Sequence, residues 1–310
     1  MSTPQNSIPE RQNTPALLKF LAAASCLYRR VKQLAAFQAA STVLIPLVLS
    51  VCALLTPSIA LWSAFYSLAI AIIDPLIFES VQRLCKVRAA RIQELFDCDL
   101  FALNWNDLIC GAPPIPEVIH RAASGYRGLP HVNWYPVAIA VLPMREARLV
   151  CQRSSVAWDL ELRRRYIWAL KFGGVIISLI AFVVALILNL SLQIVVLAIL
   201  APAVPIIQWI VREIKQQHES LDRLERLLSF ANRSWHEVLK NGSDDQAADR
   251  TSRALQDEIF LHRESNQPIF DWIFLLLRRS QEDEMKAAAD AMVEEAIQAH
   301  QETNQFKATN

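Results

Sequence analysis

Of the 310 residues, 53% are hydrophobic and only 20% charged, and the mean hydropathy is +0.24, an apolar excess that excludes an ordinary soluble protein. Lys and Arg number 31 against 30 Asp and Glu, so no overall field marks a binder of DNA or RNA polymers, and any charge argument has to be local. With six Gly and neither a GxGxxG nor a GxxxxGKS/T run, the Rossmann and P-loop routes to a nucleotide site lose their usual support.

The first fourteen residues are polar and rich in Pro, Gln and Asn, without the charged-then-apolar layout of a cleaved signal, and read as a disordered tail (1–14). The short apolar stretch before Cys26 is too brief for a lipoprotein signal and runs at once into Tyr28-Arg29-Arg30, so 15–33 reads as a cytosolic amphipathic helix. Two uncharged or nearly uncharged runs follow, Leu34 to Leu55 and Ile59 to Phe78, each of the length a bilayer crossing needs, with Thr56-Pro57-Ser58 as the turn of a first transmembrane hairpin (34–78). A central cytosolic module (79–166) separates it from a second hairpin (167–211), made of Phe172 to Leu188 and Leu192 to Val211 around Asn189-Leu190-Ser191, with Pro202 and Pro205 set to kink the last span. The C-terminal module (212–310) opens with a helical pattern, Leu221, Leu224, Leu228, Ala231 and Trp235, that stops near Asn241-Gly242. Two further helical faces break at Pro268, and the acidic, Ala-rich tail reads as an exposed helix or a frayed end. Only Val137 to Val141 hints at strand alternation. The fold class is therefore mainly α: a polytopic membrane protein with four transmembrane helices in two hairpins and helical cytosolic modules.

Cations set the orientation. Lys19, Arg29, Arg30 and Lys32 precede the first span and Arg83, Lys86, Arg88 and Arg91 follow the second; Arg163, Arg164, Arg165 and Lys171 precede the third and Arg212 and Lys215 follow the fourth, while both hairpin turns carry none. Both termini and the central module should face the cytoplasm, with Trp62, Trp168 and Trp209 as interfacial anchors. The six cysteines form no CxxC and fit a reducing compartment.

Among polar residues, Arg153 is the strongest ligand candidate: a guanidinium can hold a phosphate through two parallel bonds while Trp158 or Trp105 stacks on a base, with Gln152, Asn106, Asp159 and Arg163 beside them. An ion pair between Arg153 and Asp159 is the structural alternative, and Arg163 to Arg165 also read as topology determinants touching lipid headgroups. Asp97, Asp99 and Asp107 are more at home as helix caps than as a catalytic or metal group, because no His completes a ligand spacing. No catalytic residue, metal site or cofactor is indicated. Asp74 and Lys171 are the ionisable residues at the edges of the spans and are candidates for a pore or gate together with Pro202 and Pro205, as against a helix-end role for Asp74 and simple snorkelling for Lys171. Gln38, Ser41, Thr42, Ser63 and Ser67 add a weak polar stripe to the first hairpin.

One set of short elements, in order, carries a resemblance. It comprises Leu27-Tyr28 with Lys32, Leu95-Phe96-Asp97 leading to Trp105-Asn106, Trp134-Tyr135, and Cys151-Gln152-Arg153 followed by Trp158-Asp159 and Arg163. Leu255-Gln256, Ile259, His262-Arg263, Pro268 and Phe270-Asp271-Trp272 complete it, and Ser154-Ser155 departs from the Asn expected there. With the two-hairpin layout, this resembles the SMODS-associated four-transmembrane effectors of bacterial cyclic-oligonucleotide antiphage systems. The resemblance implies a multi-pass inner-membrane protein that senses a cyclic oligonucleotide and, as a homo-oligomer, forms a pore in the lipid bilayer. A membrane-anchored adaptor and a small transporter are the competing readings from the residues alone.

Overall fold

The computed structural model describes residues 6–188, 190–241 and 245–309. It is a bundle of long helices, with no strand among the described residues. α1 (Ile8–Arg11) is a single turn; α2 (Pro15–Ala39) passes through a π turn (Ala40–Leu44) directly into α3 (Ile45–Leu55), giving one rod of 41 residues. After the turn at Thr56, α4 (Ala60–Phe101) runs back for 42 residues. The short α5 (Asp107–Cys110) and α6 (Pro116–Ser124) lead to α7 (Met144–Ile187), which returns for 44 residues. α8 (Leu192–Ile194) and a second π turn (Val195–Leu200) open α9 (Ala201–Asn241), and α10 (Asp245–Ser265) and α11 (Asp271–Thr309) finish the chain.

Four of these rods are long and apolar enough to cross a membrane, and they pair as the two expected hairpins. Their outer faces present Phe65, Leu68 and Ile72 on the second span and Val175, Ile176, Leu179 and Phe182 on the third, all largely exposed, an arrangement suited to lipid and not to water. The third span sits at the periphery: none of its apolar window is buried, against 28% for the others. Trp62 and Trp168 are exposed as anchors should be, but Trp209 is 9% exposed and packs inward.

Both spans that carry a π turn have a proline just after it, and the local reason is visible. Ile45 N–H reaches back five residues to Ala40 O; the next donor in that register would be Pro46, which has none, and Tyr66 Oη donates to the Ser41 carbonyl at 3.0 Å instead. In the second hairpin Ala201 N–H likewise reaches Val196 O, and the carbonyl four residues before Pro202, that of Ala198, accepts from Ser50 Oγ of the first hairpin. Close approach here is possible because Ala53, Ala60 and Ala198 are small and buried together. Pro202 and Pro205 are themselves buried.

Beyond the spans the helices form a single membrane-distal bundle. Its core draws Ile8, Leu17 and Leu21 from the start, Phe96 and Phe101 from α4, Leu149 and Val150 from α7, Leu224 and Trp235 from α9, Leu255 and Ile259 from α10, and Met292 and Ala296 from α11. Each large apolar side chain so buried contributes about 1.5–3 kcal/mol. Three expectations are corrected here. Residues 6–14 are not a loose tail, because Ile8 is fully buried, Asn6 Nδ2 donates to Ile139 and Leu142 carbonyls, and Gln12 exchanges two bonds with the Tyr135 backbone. Val137–Val141 is a 3-10 turn that these contacts tie down, not a strand. The acidic tail is not an exposed helix: Ala289, Met292, Val293 and Ala296 make one apolar face on it, and Trp235 Nε1 donates to Glu295 at 2.9 Å. The expected stop at Gly242 lies outside the described residues. α4 ends where Ala102 takes a left-handed conformation (φ 52°) and Leu103 N–H caps the Cys98 carbonyl.

Candidate functional site

α7 decides which of the sequence-selected residues can act together. At 100° per residue, Gln152, Asp159 and Arg163 lie on one face, whereas Arg153, Ala157 and Glu161 lie on the other. The first face meets α10 and, at Arg163, Gln217 of α9; the second meets α9 at Asn232 and α11. Arg153 Nε donates to Asn232 Oδ1 at 2.7 Å, so the Arg153–Asp159 ion pair does not form: Asp159 is taken by Arg163 and His262. Trp105 Nε1 donates to the Gly111 carbonyl at 2.8 Å and its ring packs against the core, while Asn106 donates to Asp257 at 2.8 Å. The seven residues chosen as one ligand set thus fall into four places: Gln152, Asp159 with Arg163, Arg153 with Trp158, and Trp105 with Asn106.

What the fold does bring together is a buried polar core between α4, α7 and α10. Asp97 is fully buried in the body of α4, not at a helix start, and so is no cap. It accepts from Tyr135 Oη at 2.8 Å, from Gln256 Nε2 at 3.0 Å and from the guanidinium of Arg263. One turn earlier Glu94, also fully buried, pairs with Arg253 at 2.6 Å and accepts from Gln256 at 2.9 Å. The Gln256 amide therefore spends one hydrogen on each carboxylate, and its oxygen accepts from Gln152 Nε2 at 3.0 Å. Two acids face two guanidiniums. Burial and the neighbouring Asp97 push the Glu94 carboxyl above its ordinary value, with Arg253 pulling it back; burial works against charge on Arg263, and Asp97 together with Tyr135 and Tyr28 outweighs it to raise that pKa.

A second polar cluster lies where the distal bundle meets the spans. Arg163, 2% exposed, donates to Asp159 at 3.1 Å, to Gln217 at 2.5 Å and to the Gln267 carbonyl at 3.1 Å, so it does not reach lipid headgroups. Burial opposes ionisation of Asp159, yet Arg163 and His262, the latter at 2.6 Å, hold its carboxyl well below the usual carboxylate range. Lys86 donates to the Asn266 carbonyl at 3.1 Å. Helices leaving both hairpins thereby grip the same α10–α11 loop, and Ile269 and Phe270 from that loop pack on Leu162, Tyr166 and Leu170. Arg164 and Arg165 remain partly exposed, paired with Glu161, Glu225 and Glu284. Lys171 is exposed with its ammonium 5.8 Å from the Trp168 ring centre. Asp74 is 2% exposed and pairs with Arg212 of the other hairpin, which replaces the isolated helix-end role by a contact between hairpins.

A family model for the SMODS-associating 4TM effector domain matches residues 6–292. The chain belongs to this family. A curated relative, a probable CBASS effector molecule of Bacillus cereus (strain VD146), is 24% identical over 286 residues, covering 89% of this chain and 95% of that protein. No solved structure matches.

Within the effector-domain family fold, the resemblance elements acquire a physical meaning: Asp97, Tyr135, Gln152, Gln256 and Arg263, scattered over 167 positions of sequence, are the members of one buried network. Two concavities are large enough to name. A cleft of about 100 Å³ lies between α7 and α11, lined by Arg153, Ser154, Trp158, Glu161, Glu284 and Met285. A shallow trough of about 630 Å³ lies between α2 and α6, lined by Lys19, Glu117, His120, Arg121 and Ser124. Sequence reasoning missed Glu94, Arg253 and Gln217 altogether; their signal, a charged or amide residue on the apolar side of a helix, was present but unread.

Proposed function

We propose that this chain is an antiphage effector of the bacterial inner membrane, which a cyclic oligonucleotide switches from a closed to a membrane-breaching state as a homo-oligomer, without catalysis or a cofactor. Family membership and the name of the Bacillus cereus relative support the effector role. The observation that carries the gating part is continuity: α4, α7 and α9 each run unbroken from the core of the distal bundle to the membrane segments, so a rearrangement around Asp97 and Arg263 moves the spans directly. Packing supports the oligomeric reading: one chain's spans meet closely on the small buried residues Ala53, Ala60 and Ala198, which favours a path built by several copies.

Positive-inside asymmetry places both termini and the distal bundle in the cytoplasm. Reporter fusions at either terminus and at Ser124 are expected to read as cytoplasmic, and tags at Thr56–Ser58 and Leu190–Ser191 as external; an external Ser124 would overturn the two-hairpin topology.

For the ligand, Arg153 with Trp158 remains the proposed phosphate and base contact. The cleft beside them is smaller than a cyclic dinucleotide and holds two carboxylates, Glu161 and Glu284, so binding has to shift the α11 segment around Glu284, which is itself a means of activation. Calorimetry on the detergent-purified protein with a panel of cyclic di- and trinucleotides, followed by ion flux in liposomes, tests both steps. Arg153→Lys keeps the charge but loses the planar fork and is expected to weaken binding by about 1–3 kcal/mol. Wild-type affinity in that variant, with loss of binding in Lys19→Gln/Arg121→Gln, moves the site to the α2–α6 trough. Binding without flux removes the pore and leaves a recruiting role.

A further inference from the structure

Asp74 and Arg212 are ionisable groups at the cytoplasmic edge of the spans, and they come from different hairpins. Asp74 Oδ1 accepts from Gln38 Nε2 at 2.7 Å and from Thr42 Oγ1 at 3.2 Å, while Oδ2 accepts from Arg212. Gln82 Nε2 donates to Gln38 Oε1 at 2.8 Å and so fixes the amide that serves Asp74. All four first-hairpin residues are buried, and an aspartate in such a place is costly unless its lone pairs are met. Attraction to Arg212 is therefore strong in the packed arrangement.

The two partners differ in what separation costs them. The Arg212 side chain is 24% exposed and that of Asp74 is 3% exposed, so a small outward movement of α9 hydrates the guanidinium or hands it to lipid headgroups, while Gln38 and Thr42 stay on the carboxylate. Two of the rods that meet at the pair, the one carrying Gln38 and Thr42 and the one carrying Arg212, also contain a place where the backbone ladder is already reset. Thr42 lies within the π turn ahead of Pro46, and the second π turn precedes Pro202 on the rod that carries Arg212. Closing a π turn to regular α geometry rotates the helix beyond it by about 100°, and sliding it by one residue turns the side chain it passes by as much; either takes Thr42, which lies in the turn, off Asp74. A cross-hairpin ion pair flanked by two such turns is a bistable arrangement.

We propose that the Asp74–Arg212 pair, supported by Gln38, Thr42 and Gln82, is the latch that holds the two hairpins together at rest and must open before the membrane is breached. This assignment rests on the reading of the chain as a gated membrane effector, and its test separates the two. Protein carrying T56C and L190C for spin labelling, with Cys52 and Cys85 replaced by Ser, is reconstituted in phosphatidylethanolamine–phosphatidylglycerol vesicles, and the distance between the hairpin turns and the release of an entrapped dye are measured with no nucleotide added. Asp74→Asn and Arg212→Gln are expected to broaden the distance distribution and to raise dye release about tenfold, while Arg212→Lys stays near wild type. Unchanged distances in Asp74→Asn and Arg212→Gln overturn the latch. Broadened distances without dye release leave the latch standing and count against the pore. Should Asp74→Asn fail to insert, Arg212→Gln and Thr42→Val decide the matter by the same distance measurement, since neither removes the buried acceptor.

Discussion

Arg263→Ala is expected to cost about 3–5 kcal/mol, a large part of the stability of any domain, because it leaves the Asp97 carboxylate buried with its counter-charge gone. Tyr135 and Gln256 would still donate to Asp97, but two neutral bonds do not replace a guanidinium at a fully buried site. The measurement is thermal unfolding of detergent-purified protein, and a midpoint within a degree or two of wild type would show that the pair is dispensable. The double variant Arg263→Met/Asp97→Leu provides the contrast: replacing both partners by apolar groups is expected to recover most of the loss, because such swaps are often neutral. If it does, and the response to the proposed cyclic oligonucleotide is lost, the polar core serves switching and not stability.

The second large effect concerns three adjacent arginines that look alike in sequence. Arg163→Ala removes donors from Asp159, Gln217 and the Gln267 carbonyl at once, in a buried position, and is expected to cost about 3–5 kcal/mol. Arg164→Ala and Arg165→Ala break partly exposed pairs with Glu161, Glu225 and Glu284 and should each change stability by about 1 kcal/mol or less. Unfolding midpoints of the three single variants, measured side by side in low and high salt, test the distinction; equal losses in all three would contradict it. Salt should weaken only the outer two.

The spans were legible because a bilayer demands about twenty apolar residues in succession, a property any stretch of chain carries by itself. The α9 stripe from Leu221 to Trp235 was legible for the same reason, since a 3.6-residue period is local. Partnerships were not. Arg263 finds Asp97 across 166 positions, and nothing near either residue says so. Arg153 and Arg163 both sit among amides and aromatics on one helix, and only knowledge of which side of α7 is covered separates a half-exposed ligand candidate from a buried tie. The first fourteen residues read as disordered because their composition is polar, yet Asn6 and Gln12 use that polarity to bind backbone carbonyls of the Tyr135–Leu142 segment. Pro46 carried the same information as Pro202 about a break in helical bonding and drew no attention in the first hairpin.

The length of the unbroken rods sets the scale of motion the molecule can use. At 1.5 Å per residue α7 is about 66 Å long, with roughly 28 Å on the distal side of Arg163–Ile167 and about 30 Å beyond it. Pivoted at that grip, a tilt of roughly 5° carries the two tips about 2.5 Å in opposite directions. A displacement of that size is larger than the margin by which a hydrogen bond survives, so a tilt of a few degrees is already enough to part polar contacts near either tip. The helix works as a lever with nearly equal arms, passing on displacement without amplifying it, and whatever pulls on its distal tip must itself move by ångströms.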